Sequence, residues 1–348
     1  MGSLFIFLSG GLFLGWSLGA NDAANVFGTA VATRMVRFTL AAVIASLAVV
    51  TGAVFAGAGA AGTLGRLGAI TALPGAFTVT LAAALSVFTM TRAGLPVSTS
   101  QAIVGGIIGW NIYAGHALNY AVLSKIVLSW VSSPIIAACF GFLLYFLVRF
   151  MLNHISIHII RRDLYTRIAL IISGAFGAYS LGANNIGNVM GVFVPISPFP
   201  SVEFVGGWGL SGVQLLFLLG AIAISVGIFT YSQRVMETVG SDIFKLSPIT
   251  AFIVVLSSAI VLFLFASEGL HDWLVLNGLP ALPLVPISSS QAVVGSVIGI
   301  GMARGMHNIR FKLVGKIGMG WLATPLVAGV VCYFLLFFMD NLFLLTVK

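Results

Sequence analysis

Long apolar runs, separated by brief polar breaks, follow one another along the chain almost from end to end. A segment needs about 20 mostly apolar residues to cross the hydrocarbon core of a bilayer. Ten such segments can be marked, roughly 4–33, 38–60, 76–91, 97–115, 126–148, 168–195, 213–231, 249–266, 287–303 and 317–339. No soluble domain fits between them. The pattern predicts an all-α polytopic membrane protein, with about ten to twelve membrane segments once re-entrant hairpins are allowed for. The first run has no basic residue before it and outlasts a signal core, so it is read as part of the mature chain.

Composition agrees with the pattern. Of 348 residues, 59% are hydrophobic and 7% charged, where a soluble chain carries roughly 25% charged residues. The net charge of +8 would suggest nucleic acid for a soluble protein, but here its distribution matters more. Cytoplasmic loops of membrane proteins collect Lys and Arg. With both termini outside, Arg34, Arg37, Arg92, Arg149, Arg161, Arg162, Arg167, Arg234, Lys245, Arg304, Arg310, Lys312 and Lys316 fall inside, and Arg66, Lys125 and Lys348 outside. No nucleic-acid partner is expected. The expected neighbours are membrane lipid, in a plasma (inner) membrane, and a homodimer is one assembly this allows. Cys139 and Cys332 stand alone in apolar runs and read as packing residues. No metal-ligand spacing involves the five histidines.

The ten segments divide five and five around a basic loop. That gives a first repeat over 1–150, a basic cytoplasmic linker over 151–167 and a second repeat over 168–348, with corresponding segments running in opposite directions. The letters repeat too. Gly19-Ala20-Asn21-Asp22 with Asn25 returns as Gly182-Ala183-Asn184-Asn185 with Asn188, and Pro96-Val97-Ser98-Thr99-Ser100-Gln101 returns as Pro286-Ile287-Ser288-Ser289-Ser290-Gln291. Inverted repeats interrupted at matching positions point to a transporter with its site near the midplane. The Gly-Ala-Asn motifs are expected to break their helices, and the Pro-x-Ser motifs to start new ones.

The chemistry follows from these residue types. Free N–H groups at half-helix starts, with the hydroxyls of Ser98, Thr99, Ser100, Ser288, Ser289 and Ser290, offer an oxyanion many donors and no fixed charge. Gln101 and Gln291 complete the expected anion-binding set. Asp22 is the one acidic residue inside a crossing, and a carboxylate there costs about 2.5–3.5 kcal/mol on insertion scales, which marks it as functional. With Asn21, Asn25, Asn184, Asn185 and Asn188 it is expected to hold a cation, sodium at Asp22, Asn25, Asn185 and Asn188, or to take up a proton itself. No cofactor is expected.

GANDAAN at Gly19–Asn25 and LPVSTSQAIVG at Leu95–Gly105, with their second copies and the stretch from Gly227 to Gly240, resemble the inorganic phosphate transporter (PiT) family over nearly the whole chain. The resemblance implies an inverted-repeat carrier that symports phosphate with sodium or protons. Its Ser/Thr loops would hold the anion and its Asn/Asp motifs the coupling ion. The chain departs from the family in having Asn185 where a second Asp is common, Gln101 and Gln291 where His is common, and Val49 and Val255 where a membrane Glu is expected. Fewer carboxylates imply fewer, or differently bound, coupling ions. A sulfate or other oxyanion symporter and a passive anion channel are the competing readings. An enzyme is not expected, because Asp22 lacks an evident base or metal partner.

Overall fold

The computed structural model describes residues 2–68, 70–92, 97–154, 158–204, 208–242, 247–305 and 311–348. Leu95, Pro96, Lys245 and Arg310, singled out above, lie outside them. The elements are α1 (Gly2–Ala32), α2 (Phe38–Ala56), α3 (Ala58–Gly68), α4 (Leu73–Arg92), α5 (Thr99–Ala114), α6 (Tyr120–His154), α7 (Ile159–Met190), a 3-10 turn (Gly191–Ile196), α8 (Gly212–Asp242), α9 (Pro248–Leu264), α10 (Glu268–Leu276), α11 (Ser289–Ala303) and α12 (Phe311–Asn341). Between the turn and α8 lies a small antiparallel pair, β1 (Val202–Phe204) and β2 (Trp208–Leu210), with Val202 opposite Leu210.

Among the described residues, seven helices are long and apolar enough to cross a membrane, namely α1, α2, α4, α6, α7, α8 and α12. The pair α9 and α10, bent by 65°, makes an eighth if taken as one span. The segments expected as crossings four and nine are different. Their helices, α5 and α11, have 16 and 15 residues, or about 24 and 22 Å at 1.5 Å per residue against a hydrocarbon core of about 30 Å. Each is too short for a full crossing and starts at a serine buried in the protein.

One expectation about helix continuity is corrected. The Gly-Ala-Asn motifs do not break their helices, since α1 runs unbroken through Asn21 and Asp22 and α7 through Asn184 and Asn185. The polar side chains find partners without freeing backbone: the Asn21 amide donates to the Ser17 carbonyl one turn back, at 3.0 Å. Their glycines serve close approach instead. A Cβ at Gly19 would collide with the Ile224 carbonyl on α8, and one at Gly182 with the Val49 carbonyl on α2. Within the stretch expected as a basic linker over 151–167, α6 continues to His154 and α7 begins at Ile159. An Asp163–Arg167 pair at 3.6 Å sits one turn apart on α7 there.

Packing follows the same repetition as the letters. Helix α1 packs on α8 and α7 on α2, while α5 packs on α12 and α11 on α6. Each half thus lends its last helix to the Ser-capped helix of the other. Gly105 on α5 faces the Pro325 carbonyl of α12, and Gly295 on α11 faces the Pro134 carbonyl of α6, so close in both places that a Cβ would clash. In lipid the apolar surroundings give little drive to associate, so tight contact between small residues carries much of the packing. The outward faces of α6 and α12 expose Leu128, Ile135 and Leu143, and Leu322, Leu326 and Phe338, as lipid contact requires.

Gly295→Leu is therefore expected to lower thermal stability in detergent by the 1–3 kcal/mol typical of overpacking, roughly. Gly315→Ala, on an open helical face, is expected to be neutral or slightly stabilising. Equal melting curves for the two variants would contradict the close-packing role.

Candidate functional site

The backbone before each Ser-capped helix is extended, at Ser98 (φ −125°, ψ 116°) and Ser288 (φ −85°, ψ 117°), and then turns into α5 and α11. Each serine is an N-cap. The Gln101 amide N–H donates to the Ser98 hydroxyl at 3.4 Å, and the Gln291 N–H to the Ser288 hydroxyl at 3.3 Å. Capping satisfies one of the four amides that a helix start leaves unpaired, and the others point out of the helix end with the positive end of its dipole. The cap hydroxyls also meet their neighbours, Ser98 to Ser100 at 3.0 Å and Ser288 to Ser290 at 3.0 Å.

The two caps come together. The Ser290 hydroxyl donates to the Val97 carbonyl, 3.4 Å away and almost two hundred positions earlier in the sequence. Ser98, Thr99, Ser100, Gln101, Ser288, Ser289 and Gln291 are buried, with Ser290 partly so. The side-chain carbonyls of Gln101 and Gln291 are buried without a hydrogen-bond partner. A buried acceptor of this kind costs about 1–3 kcal/mol if left unpaired, which marks both as places for a donor or a cation.

Asp22 reaches the same place from α1. The Ser289 hydroxyl donates to its Oδ2 at 2.7 Å, while the Asn25 amide donates to that hydroxyl at 3.2 Å. A carboxylate, an amide and a hydroxyl from α1 and α11 thus form one hydrogen-bonded chain. Beside it lies a small pocket lined by Asn25, Val26, Gly177, Leu181, Val255, Ser258, Ala259, Leu262, Ser289 and Val293. Ser258 was not singled out in the sequence. The mid-helix pair Ser257-Ser258 in α9 was the available signal, and Ser258 turns its hydroxyl to the Val255 carbonyl at 3.0 Å.

The second Asn motif is arranged otherwise. The Asn188 amide donates to the Asn185 carbonyl at 2.8 Å, leaving Asn185 Nδ2 and Asn188 Oδ1 without partners. Asn184 is clamped to the extended backbone before α11: it accepts from the Ile287 N–H at 2.9 Å and donates to the Val285 carbonyl at 3.3 Å. Its counterpart Asn21 stays with its own helix. Asn184, Asn185 and Asn188 are fully buried, whereas Asn21, Asp22 and Asn25 are partly accessible. The structure brings Asp22 and Asn25 onto Ser289, and Asn184 onto the backbone beside Ser288. No group of three or more His, Cys, Asp or Glu able to hold a metal occurs among the described residues. A cation here would rely on Asp22 and neutral oxygens.

The comparisons bear on this geometry. A profile described as "Phosphate transporter family" matches residues 18–332. A protein of Methanocaldococcus jannaschii named "Putative phosphate permease" is 30% identical, over 92% of this chain and 92% of its own. One of the same description from Thermococcus kodakarensis is 30% identical over 95% of this chain and 96% of its own. A solved structure named "The sodium-dependent phosphate transporter" superposes with a TM-score of 0.77, covering 98% of this chain and 99% of that one at 24% identity. That likeness extends to the fold.

Proposed function

The chain belongs to the phosphate transporter family, and from that premise we propose that it is a secondary active symporter, moving inorganic phosphate by alternating access with a cation, sodium in the first instance. The observation that carries this reading is the meeting of two serine-capped helix starts with one intramembrane carboxylate, Asp22, through Ser289. Phosphate would be held by Ser98, Thr99, Ser100, Ser288, Ser289 and Ser290 with the helix-start amides. Gln101 and Gln291 would present carbonyls to its proton. Sulfate carries no such proton at neutral pH, so those unpaired acceptors favour phosphate.

The cation would sit at Asp22 and Asn25, with the free carbonyl of Asn188 as a further oxygen on the second motif. Hard cations take oxygen ligands, and a carboxylate among neutral oxygens is such a set. A single carboxylate also allows a proton in place of sodium. In this reading the two repeats are inverted in a plasma membrane with both termini outside, and the two mouths of the site lie near Asn21 and Asn184.

Liposomes holding the purified protein should accumulate labelled phosphate under an inward sodium gradient, with excess sulfate competing weakly. Accumulation driven by a proton gradient alone would move the coupling to protons, and uptake insensitive to either would remove the symport. Asp22→Asn should abolish accumulation in protein that stays monodisperse. Ser289→Ala, which removes the hydroxyl that Asp22 accepts, should raise the sodium concentration for half-maximal uptake roughly tenfold, or about 1.4 kcal/mol. Normal accumulation by Asp22→Asn would show that another group binds the cation.

A further inference from the structure

The two Asn motifs are copies in sequence but not in state. Asn184 grips the chain at Val285 and Ile287 with both ends of its amide, and the same stretch is held twice more. The Thr63 hydroxyl donates to the Leu284 carbonyl at 2.5 Å, and the Val285 N–H donates to the Phe265 carbonyl at 3.2 Å. The grip itself is closed: Asn184, Val285, Ile287 and Ser288 are all at most 3% exposed.

At the other mouth the described residues show no bond from the Val97 N–H to Asn21. Asn21 corresponds to Asn184, and Val97 to Ile287, yet the Asn21 amide bonds to Ser17 on its own helix. A small pocket reaches Asn21 between α1, α4 and α8, past Trp16, Phe88, Arg92 and Tyr231. Asn21, Asp22 and Asn25 are partly accessible. Ser17 and Thr91 line that pocket with buried hydroxyl oxygens that lack partners, as expected where a contact has been given up.

We propose that Asn184 and Asn21 are paired latches rather than cation ligands: Asn184 holds the mouth beside α10 shut in this state, and Asn21 takes the Val97 backbone in the opposite one. This rests on the reading of the protein as an alternating-access carrier and names the residues that set which mouth is closed. Two neutral hydrogen bonds of ordinary net strength shift such an equilibrium about ten- to thirty-fold, enough to bias it while leaving both states reachable. The exchange costs little, because the asparagine released at one mouth is satisfied within its own helix, as Asn21 is now. Asn184 and Asn21 are positioning residues, acting on the loops that carry the serines.

The test is reciprocal. In a Cys139→Ser, Cys332→Ala background, Val285→Cys places a thiol behind the closed mouth, and its rate of reaction with a membrane-impermeant maleimide is measured in proteoliposomes. Adding Asn184→Ala should raise that rate about tenfold or more, and adding Asn21→Ala should leave it unchanged or lower it. If Asn184→Ala is not monodisperse, Asn184→Asp serves instead, since it keeps the acceptor for Ile287 but sets an oxygen against the Val285 carbonyl. An unchanged rate with Asn184 altered, or an equal rise with Asn21 altered, overturns the assignment. Because labelling needs no transported anion, its outcome is separate from whether phosphate is the substrate.

Discussion

A polar group inside a membrane protein must find a partner in the protein itself, and the architecture is arranged around that constraint. Two helices begin in the buried interior, and a helix beginning leaves amides unpaired. Ser98 and Ser288 cap one amide each, and the two capped ends meet where the Ser290 hydroxyl touches the Val97 carbonyl. Without the facing cap, either helix start would be a costly defect. Together they form a concentration of donors that would suit an oxyanion, and the reciprocal packing of α5 on α12 and α11 on α6 holds them there.

The carboxylate changes what that cluster can do. Donors alone would suit a passive anion site, but Asp22, bonded to Ser289, ties the serine cap of α11 to a negative charge on α1. A cation at Asp22 would act on Ser289, one of the serines proposed to face the anion, and in that reading coupling would have a physical route through one side chain. The second motif, with Asn185 in place of a carboxylate, forms a neutral amide pair with Asn188. Matching positions of the two sequence motifs thus carry charged chemistry at Asp22 and uncharged chemistry at Asn185.

Much of this was legible in the letters. Three hydroxyls after a Pro-x step, in duplicate, identified the caps because capping is a local property of sequence. The isolated Asp22 was conspicuous because burying a carboxylate in an apolar run needs a reason. Other features depend on what lies across the fold. Gly19 and Gly182 read as helix breakers, but their role is to admit the Ile224 and Val49 carbonyls, partners that no local window contains. The brevity of α5 and α11 was blurred because apolar residues such as Val97, and Leu284, Val285 and Ile287, continue each run on its N-terminal side. Asn184 gave no hint that its amide would hold backbone at Val285 and Ile287, a hundred positions away, while its twin Asn21 does not.

The central claim is that both serine caps bind one anion. An experimental structure with phosphate bound tests it most directly. Density contacting the Ser98–Gln101 and Ser288–Gln291 segments together is the predicted result. Density confined to one segment, or lying away from both, would contradict a shared site.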